Sequence, residues 1–334
     1  MNDFLNAEQK LNPHLFDVGV IQEPIRKGYG EGLLRAGKDD ERVVALCADL
    51  KESTMTNLFA AQFPLRFIEM GIGEQNMASV ASGMAAMGKI PFITSYAMFS
   101  PGRNWEQIRT TICYNNQNVK IVGSHAGVSV GPDGGTHQAL EDIALMRVLP
   151  RMTVIVPTDA IEARKATLAA AKYTGPVYIR LSREKSPLIT TDDTPFEIGK
   201  ASVLSGGGSA ELVFFATGAL VYFTLRAAHT LMKEGVSVTV VNVSSIKPLD
   251  TKTILDSVKN ARAVVTVEEH QKCGGLGSAI AELLSVSRPT ALQMVGVEDR
   301  FGQSGTSQEL LKEYGLDEAG IIRTAQSVLS RTRK

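Results

Sequence analysis

Short β-branched, apolar runs alternate with helical patterns along the whole chain, and no other feature of the sequence restricts the fold as much. RVVALCA, FIEMG, IPFITSY, VKIVGSH, MTVIVP and PVYIRLS read as strands; EQNMASVASGMAAMG, NWEQIRTTICYN, QALEDIALMRVL and DAIEARKATLAAAKY read as the helices between them. That order is the sequence sign of parallel sheets flanked by helices. The rhythm breaks at SPLITTDDTPFEI, where two prolines flank a run of threonine and aspartate. It resumes with ELVFFAT, VSVTVVNVSS, AVVTVEE and ALQMVGV. The expected fold class is therefore α/β, with two domains that are each a mostly parallel sheet covered by helices. Their bounds are 1–187 and 198–334, joined by a linker at 188–197.

Composition narrows the partners. At 334 residues there is room for about two domains of ~150 residues. Lysine plus arginine (35) balance aspartate plus glutamate (35) with no basic stripe, so nucleic acid is not an expected partner. No apolar run reaches the roughly 18–20 residues a membrane span needs, and the start lacks a basic region followed by an apolar core. A cytoplasmic protein is expected. Cys47, Cys113 and Cys273 are odd in number and far apart, without the spacing of a zinc site or a disulfide framework. CGGLGSAI superficially resembles a dinucleotide fingerprint but lacks its third glycine, and GGG at 206–208 reads as a tight turn.

In open parallel sheets, ligands bind at the carboxyl ends of strands. Polar residues that follow strands are Asp49 and Ser53 after VVALCA, Glu74 after FIEMG, Tyr96 and Phe99 after IPFITS, His125 after VKIVGS, and Arg183 after PVYIRLS. The loop GPDGGTH adds Asp133 and His137. An arginine, serine and histidine set suits a phosphorylated substrate, since a guanidinium meets phosphate oxygens in bidentate geometry. Blander readings stand beside these. GPDGGTH can be a turn before a helix, Glu74 a carboxylate complementing a helix dipole, each histidine a core residue, and Tyr96 with Phe99 plain packing.

GIGEQNM, TSYAMFSPGRNWEQIR, GSHAGVSVGPDGGTHQALEDIALMRVLP and RLSREKSP together resemble the pyrimidine-binding and C-terminal domains of transketolase, in that family's order and spacing. The resemblance implies thiamine diphosphate as cofactor. This chain has no GDG motif, so it resembles the second polypeptide of a split transketolase. A partner subunit with GDG and a downstream asparagine would hold the diphosphate and its Mg2+, with no metal ligands on this chain, in a heterotetramer of two copies of each. The implied activity is transfer of a two-carbon ketol unit from a ketose phosphate to an aldose phosphate.

By the same resemblance, Glu74 would hydrogen-bond the aminopyrimidine, Tyr96 and Phe99 would line its pocket, and Asp49 would lie near the thiazolium. Arg26, Ser53, His125 and Arg183 match phosphate-binding positions, Asp133 the reader of a donor hydroxyl, and His137 the histidine at the reacting oxygens. Glu74 and His137 are thus the catalytic candidates. Many relatives read GEDGPTH where this chain has GPDGGTH, and Gly102 falls where others carry a large side chain near the pyrimidine. Rival enzymes of similar build are the beta chain of a 2-oxo acid dehydrogenase and deoxyxylulose-phosphate synthase. The phosphate-binding set and the GPDGGTH loop argue against the first, and a three-domain chain is usual for the second. An orphan interaction subunit is a third alternative, disfavoured by the intact Glu74, Asp133 and His137.

Overall fold

The computed structural model describes residues 4–207 and 210–332, so Gly208 of the expected GGG turn lies outside the described residues. Within the first unit run β1 (Gln22–Pro24), β2 (Val43–Cys47), β3 (Phe67–Glu69), β4 (Ile90–Tyr96), β5 (Lys120–Ser124), β6 (Thr153–Ile155), β7 (Val177–Arg180) and β8 (Lys185–Pro187). Within the second run β9 (Ser202–Ser205), β10 (Leu212–Ala216), β11 (Val238–Asn242), β12 (Ser245–Lys247), β13 (Ala263–Gln271) and β14 (Ala291–Val297). Both units are mostly parallel sheets flanked by helices, as the alternation predicts. Every residue of β2, β5, β7, β10 and β11 is buried, because helices cover both sheet faces.

The first sheet has the order β12-β6-β7-β5-β4-β2-β3 and the second β14-β13-β10-β11-β9. One strand of the first sheet thus comes from the second half of the chain: β12 pairs antiparallel with β6. The sequence suggests a single strand over VSVTVVNVSS, but it divides after Asn242. Asn242 and Ser244 at the break turn inward and donate to the buried Glu162 carboxylate, each at 3.0 Å. One hydrophobic cluster runs through the join, with Val44, Met77 and Ile121 on one side and Phe215, Val243 and Leu276 on the other.

Residues 188–197 do not hang free. Ile189 and Thr190 are buried, and their amides donate to Asp159 at 2.8 and 2.6 Å. Two expected helices also depart from their patterns. Of NWEQIRTTICYN, Trp105–Gln107 is α-helical and Ile108–Tyr114 widens into a π-helix. There the hydroxyls of Thr110 and Thr111 take the carbonyls of Glu106 and Gln107, the kind of back-bonding that disturbs a regular helix. Of QALEDIALMRVL only Asp142–Arg147 is helical. The Asp142 carboxylate is drawn inward by Tyr178 (2.7 Å) and Arg180 (2.8 Å).

The helix Leu276–Ser287, which begins within CGGLGSAI, has an occupied N-terminus. The place an incoming anion would take is filled by the protein's own Glu268, whose carboxylate accepts the amides of Leu276 and Gly277 at 2.7 Å each. Burial raises its pKa to about 7.

Candidate active site

The carboxyl ends of β4 and β5 bring four aromatic side chains into one cluster. Tyr96 ends β4, and Phe99 follows in the next turn; His125 follows β5, at a φ of 56°. Tyr96 stacks on His125 with ring centroids 3.9 Å apart, and on Phe99 at 6.1 Å. His137 meets Phe99 (5.5 Å) and Tyr96 (6.4 Å) edge-on. These four residues come from three separate loops.

Glu74 opens the helix Glu74–Ala86 and is 1% exposed. It stands in the helix's first turn, where a carboxylate complements the dipole, yet among the described residues its carboxylate accepts no hydrogen bond from that helix's own amides. One oxygen accepts from Ser95 (3.3 Å), and the other pairs with Arg103 (2.7 Å). The Arg103 guanidinium lies over the Phe99 ring, 4.8 Å from its centroid, and so joins the carboxylate to the aromatic cluster. Asn104 fixes the backbone beneath, donating to the Glu74 carbonyl at 3.0 Å.

Arg103 is absent from the sequence candidates. Its signal was a spacing: Phe99 and Arg103 lie four residues apart, and the Arg103 amide bonds the Phe99 carbonyl in a helical turn. Gly102, which the resemblance aligns with a large side chain in other members, has no room for one here, because a Cβ there would strike the Met98 carbonyl. Arg103 is the large side chain beside Glu74.

Beside the rings lies a cationic region. Arg26 donates to the Arg183 carbonyl, and Arg183 donates to the Val130 carbonyl at 2.6 Å. The Arg26 Nε is buried and, among the described residues, has no hydrogen-bond partner. Burial, with Arg26, Arg183 and His137 adding repulsion, lowers the His125 pKa to about 3, so its imidazole is neutral near pH 7. His125 Nδ1 is engaged by the Ser124 hydroxyl (2.9 Å) and His137 Nδ1 by that of Thr136 (3.0 Å). Among the described residues, neither ring makes a hydrogen bond through Nε2.

Three sequence candidates stand apart from this cluster. Asp49 is exposed at a φ of 56°, its amide held by Glu69 at 2.7 Å. Ser53 is half-buried in the turns after β2, and Asp133 is exposed on the GPDGGTH loop. Among the described residues, no hydrogen bond ties their side chains to the four rings.

The chain's residues 23–187 match the family model for the transketolase pyrimidine-binding domain, and 199–321 that for the transketolase C-terminal domain. A split-gene transketolase solved as an inactive β4 tetramer superposes with a TM-score of 0.86 at 44% identity, covering 93% of this chain and 99% of that one. The 6-deoxy-6-sulfo-D-fructose transketolase subunit SqwH of Clostridium sp. (strain MSTE9) is 40% identical over 95% of this chain and 98% of its own length. One of the subunits of the apulose-4-phosphate transketolase of Phocaeicola vulgatus is 36% identical over 90% of this chain and 96% of its own length.

Proposed function

Because this chain belongs to the transketolase family, we propose that it is the pyrimidine-binding and C-terminal half of a two-chain, thiamine diphosphate-dependent transketolase. It moves a two-carbon ketol unit from a ketose phosphate to an aldose phosphate, as in the cytoplasmic pentose phosphate pathway. The assignment gives residues 1–187 to the pyrimidine-binding domain and 198–334 to the C-terminal domain, with 188–197 between them. A partner subunit carrying GDG and the downstream asparagine holds the diphosphate and Mg2+, two copies of each chain forming the complex.

The observation that carries this reading is the buried Glu74 carboxylate beside the stacked Tyr96 and Phe99 rings. Those residues fit a flat, nitrogen-bearing heterocycle: the rings offer a face to it and the carboxylate a partner for a ring nitrogen. When bound, the cofactor supplies the nucleophilic carbon and the electron sink. Asp49 would lie near the bound cofactor. Glu74 would hold the pyrimidine by its ring nitrogen, and Tyr96 and Phe99 would exclude water from that contact. His137 presents Nε2 to the donor's carbonyl and hydroxyl oxygens and moves protons there, while Asp133 reads a donor hydroxyl.

Arg26, Arg183, Ser53 and the neutral His125 bind the terminal oxyanion of the sugar. The names of the two relatives include a sulfonated sugar and a sugar phosphate. A guanidinium pair suits either tetrahedral oxyanion.

The test is reconstitution. This chain mixed with its partner, Mg2+ and thiamine diphosphate is expected to transfer ketol units, and neither chain alone is. Glu74→Ala in the complex is expected to lower kcat about 10²- to 10⁴-fold. Ketol transfer by this chain alone, or near-normal turnover of Glu74→Ala, overturns the reading.

A further inference from the structure

The second domain bears directly on the loop that carries Asp133 and His137. Gln138, 3% exposed, closes that loop on itself, its carboxamide donating to the carbonyls of Val128 and Gly131 at 3.2 Å each. The same carboxamide donates to the Gln303 carbonyl of the second domain at 2.9 Å. Glu269, at the end of β13, reaches across the join: its carboxylate accepts the Ser129 amide at 2.6 Å and lies against Gly127. The Ser307 hydroxyl donates to the Ser129 carbonyl at 2.6 Å.

The approach is close enough to select residues. A Cβ on Gly135 would lie 2.6 Å from the Gly302 carbonyl oxygen, and one on Gly134 2.6 Å from the Ser304 hydroxyl. Gly135 is one of the two positions, with Pro132, at which this chain departs from GEDGPTH, and the loop of the second domain occupies the space a proline ring would need at 135.

We propose that the second domain sets the geometry of the 127–138 loop, with Gln138 and Glu269 as positioning residues, so that donor-sugar discrimination is shared between the two domains. This rests on the functional reading above. Asp133 and His137 need a fixed separation to judge a hydroxyl and a carbonyl on one sugar, and a loop this rich in glycine does not supply it unaided. The second domain supplies it by taking up the loop's amides and carbonyls from behind.

The experiment compares Gln138→Met, Glu269→Gln, Glu269→Ala and the milder Ser307→Ala in the assembled complex. Three readouts are taken: amide hydrogen exchange over 127–138, thiamine diphosphate affinity, and the ratio of kcat/KM between two donor ketoses of opposite configuration at the hydroxyl beside the cleaved bond. Loss of the charge-assisted bond in Glu269→Ala is expected to speed exchange at Ser129 about 10- to 100-fold. The donor ratio is expected to fall by a similar factor in Gln138→Met, with cofactor affinity unchanged and Glu269→Gln retaining most of the discrimination. Unaltered exchange and donor ratio in every variant overturn the proposal, as does parallel loss of cofactor affinity and discrimination. Faster exchange in variants of a complex that transfers no ketol unit even as wild type supports the loop's anchorage and refutes the functional reading instead.

Discussion

Leaving a carboxylate as deeply covered as that of Glu74 without a countercharge is costly, and Arg103 provides one from a half-exposed position. Arg103→Met keeps the side chain over Phe99 but removes the charge. It is expected to destabilise the isolated chain at neutral pH by about 2–3 kcal/mol, below the 3–5 typical of fully buried pairs, as read by the urea midpoint. An unchanged midpoint would mean that the pair contributes nothing. Glu74, Tyr96, Phe99 and His125 were legible in the sequence because each ends or follows a strand, and strand ends of a parallel sheet converge. Arg103 was missed, since its four-residue spacing from Phe99 points to the site only once the intervening turn is known, and no strand pattern announces that turn.

At the scale of elements, two helical glycines make opposite predictions. Gly28 in the helix Ile25–Asp39 faces Ala160, at the start of Ala160–Lys172, so closely that a Cβ would strike its carbonyl. Gly83 in Glu74–Ala86 has open space around it. Gly28→Val is expected to cost about 1–3 kcal/mol by forcing the helices apart, whereas Gly83→Ala is expected to add roughly 0.4–1 kcal/mol. Chemical denaturation of the isolated chain checks both, and equal signs would contradict the packing described. Period and composition located the helices, yet not the crossing, which depends on the tertiary partner. The same limit applies to Trp105–Tyr114, where the pattern revealed a helix but not its π-helical width.

For the molecule as a whole, the join between the units carries a titratable charge. Burial, and then the nearby Asp159, raise Glu162 to about 7, whereas in the unfolded chain it titrates near 4.5. Between those values the folded protein binds the extra proton. The stability this group contributes is therefore complete below about pH 4.5 and is lost as pH rises through 7. Glu162→Gln is expected to gain on the wild type by on the order of 1–3 kcal/mol between pH 5 and pH 8. Urea titrations at the two pH values test this, and a pH-independent difference refutes it. The two-unit architecture was legible from the SPLITTDDTPFEI break, but the join was not. Asn242 and Ser244 looked like ordinary strand residues until Glu162 gave them a buried acceptor.

The crossing of β12 into the first sheet has a consequence for biosynthesis. On the ribosome, β6 emerges long before the strand that covers its edge, and three of the second sheet's five strands are made in between. During that interval a nascent first domain presents unpaired backbone groups along β6, the kind of edge that recruits foreign strands. Completion of the first domain is therefore tied to the second, and a nascent chain stalled before Ser245 is the species most in need of a chaperone.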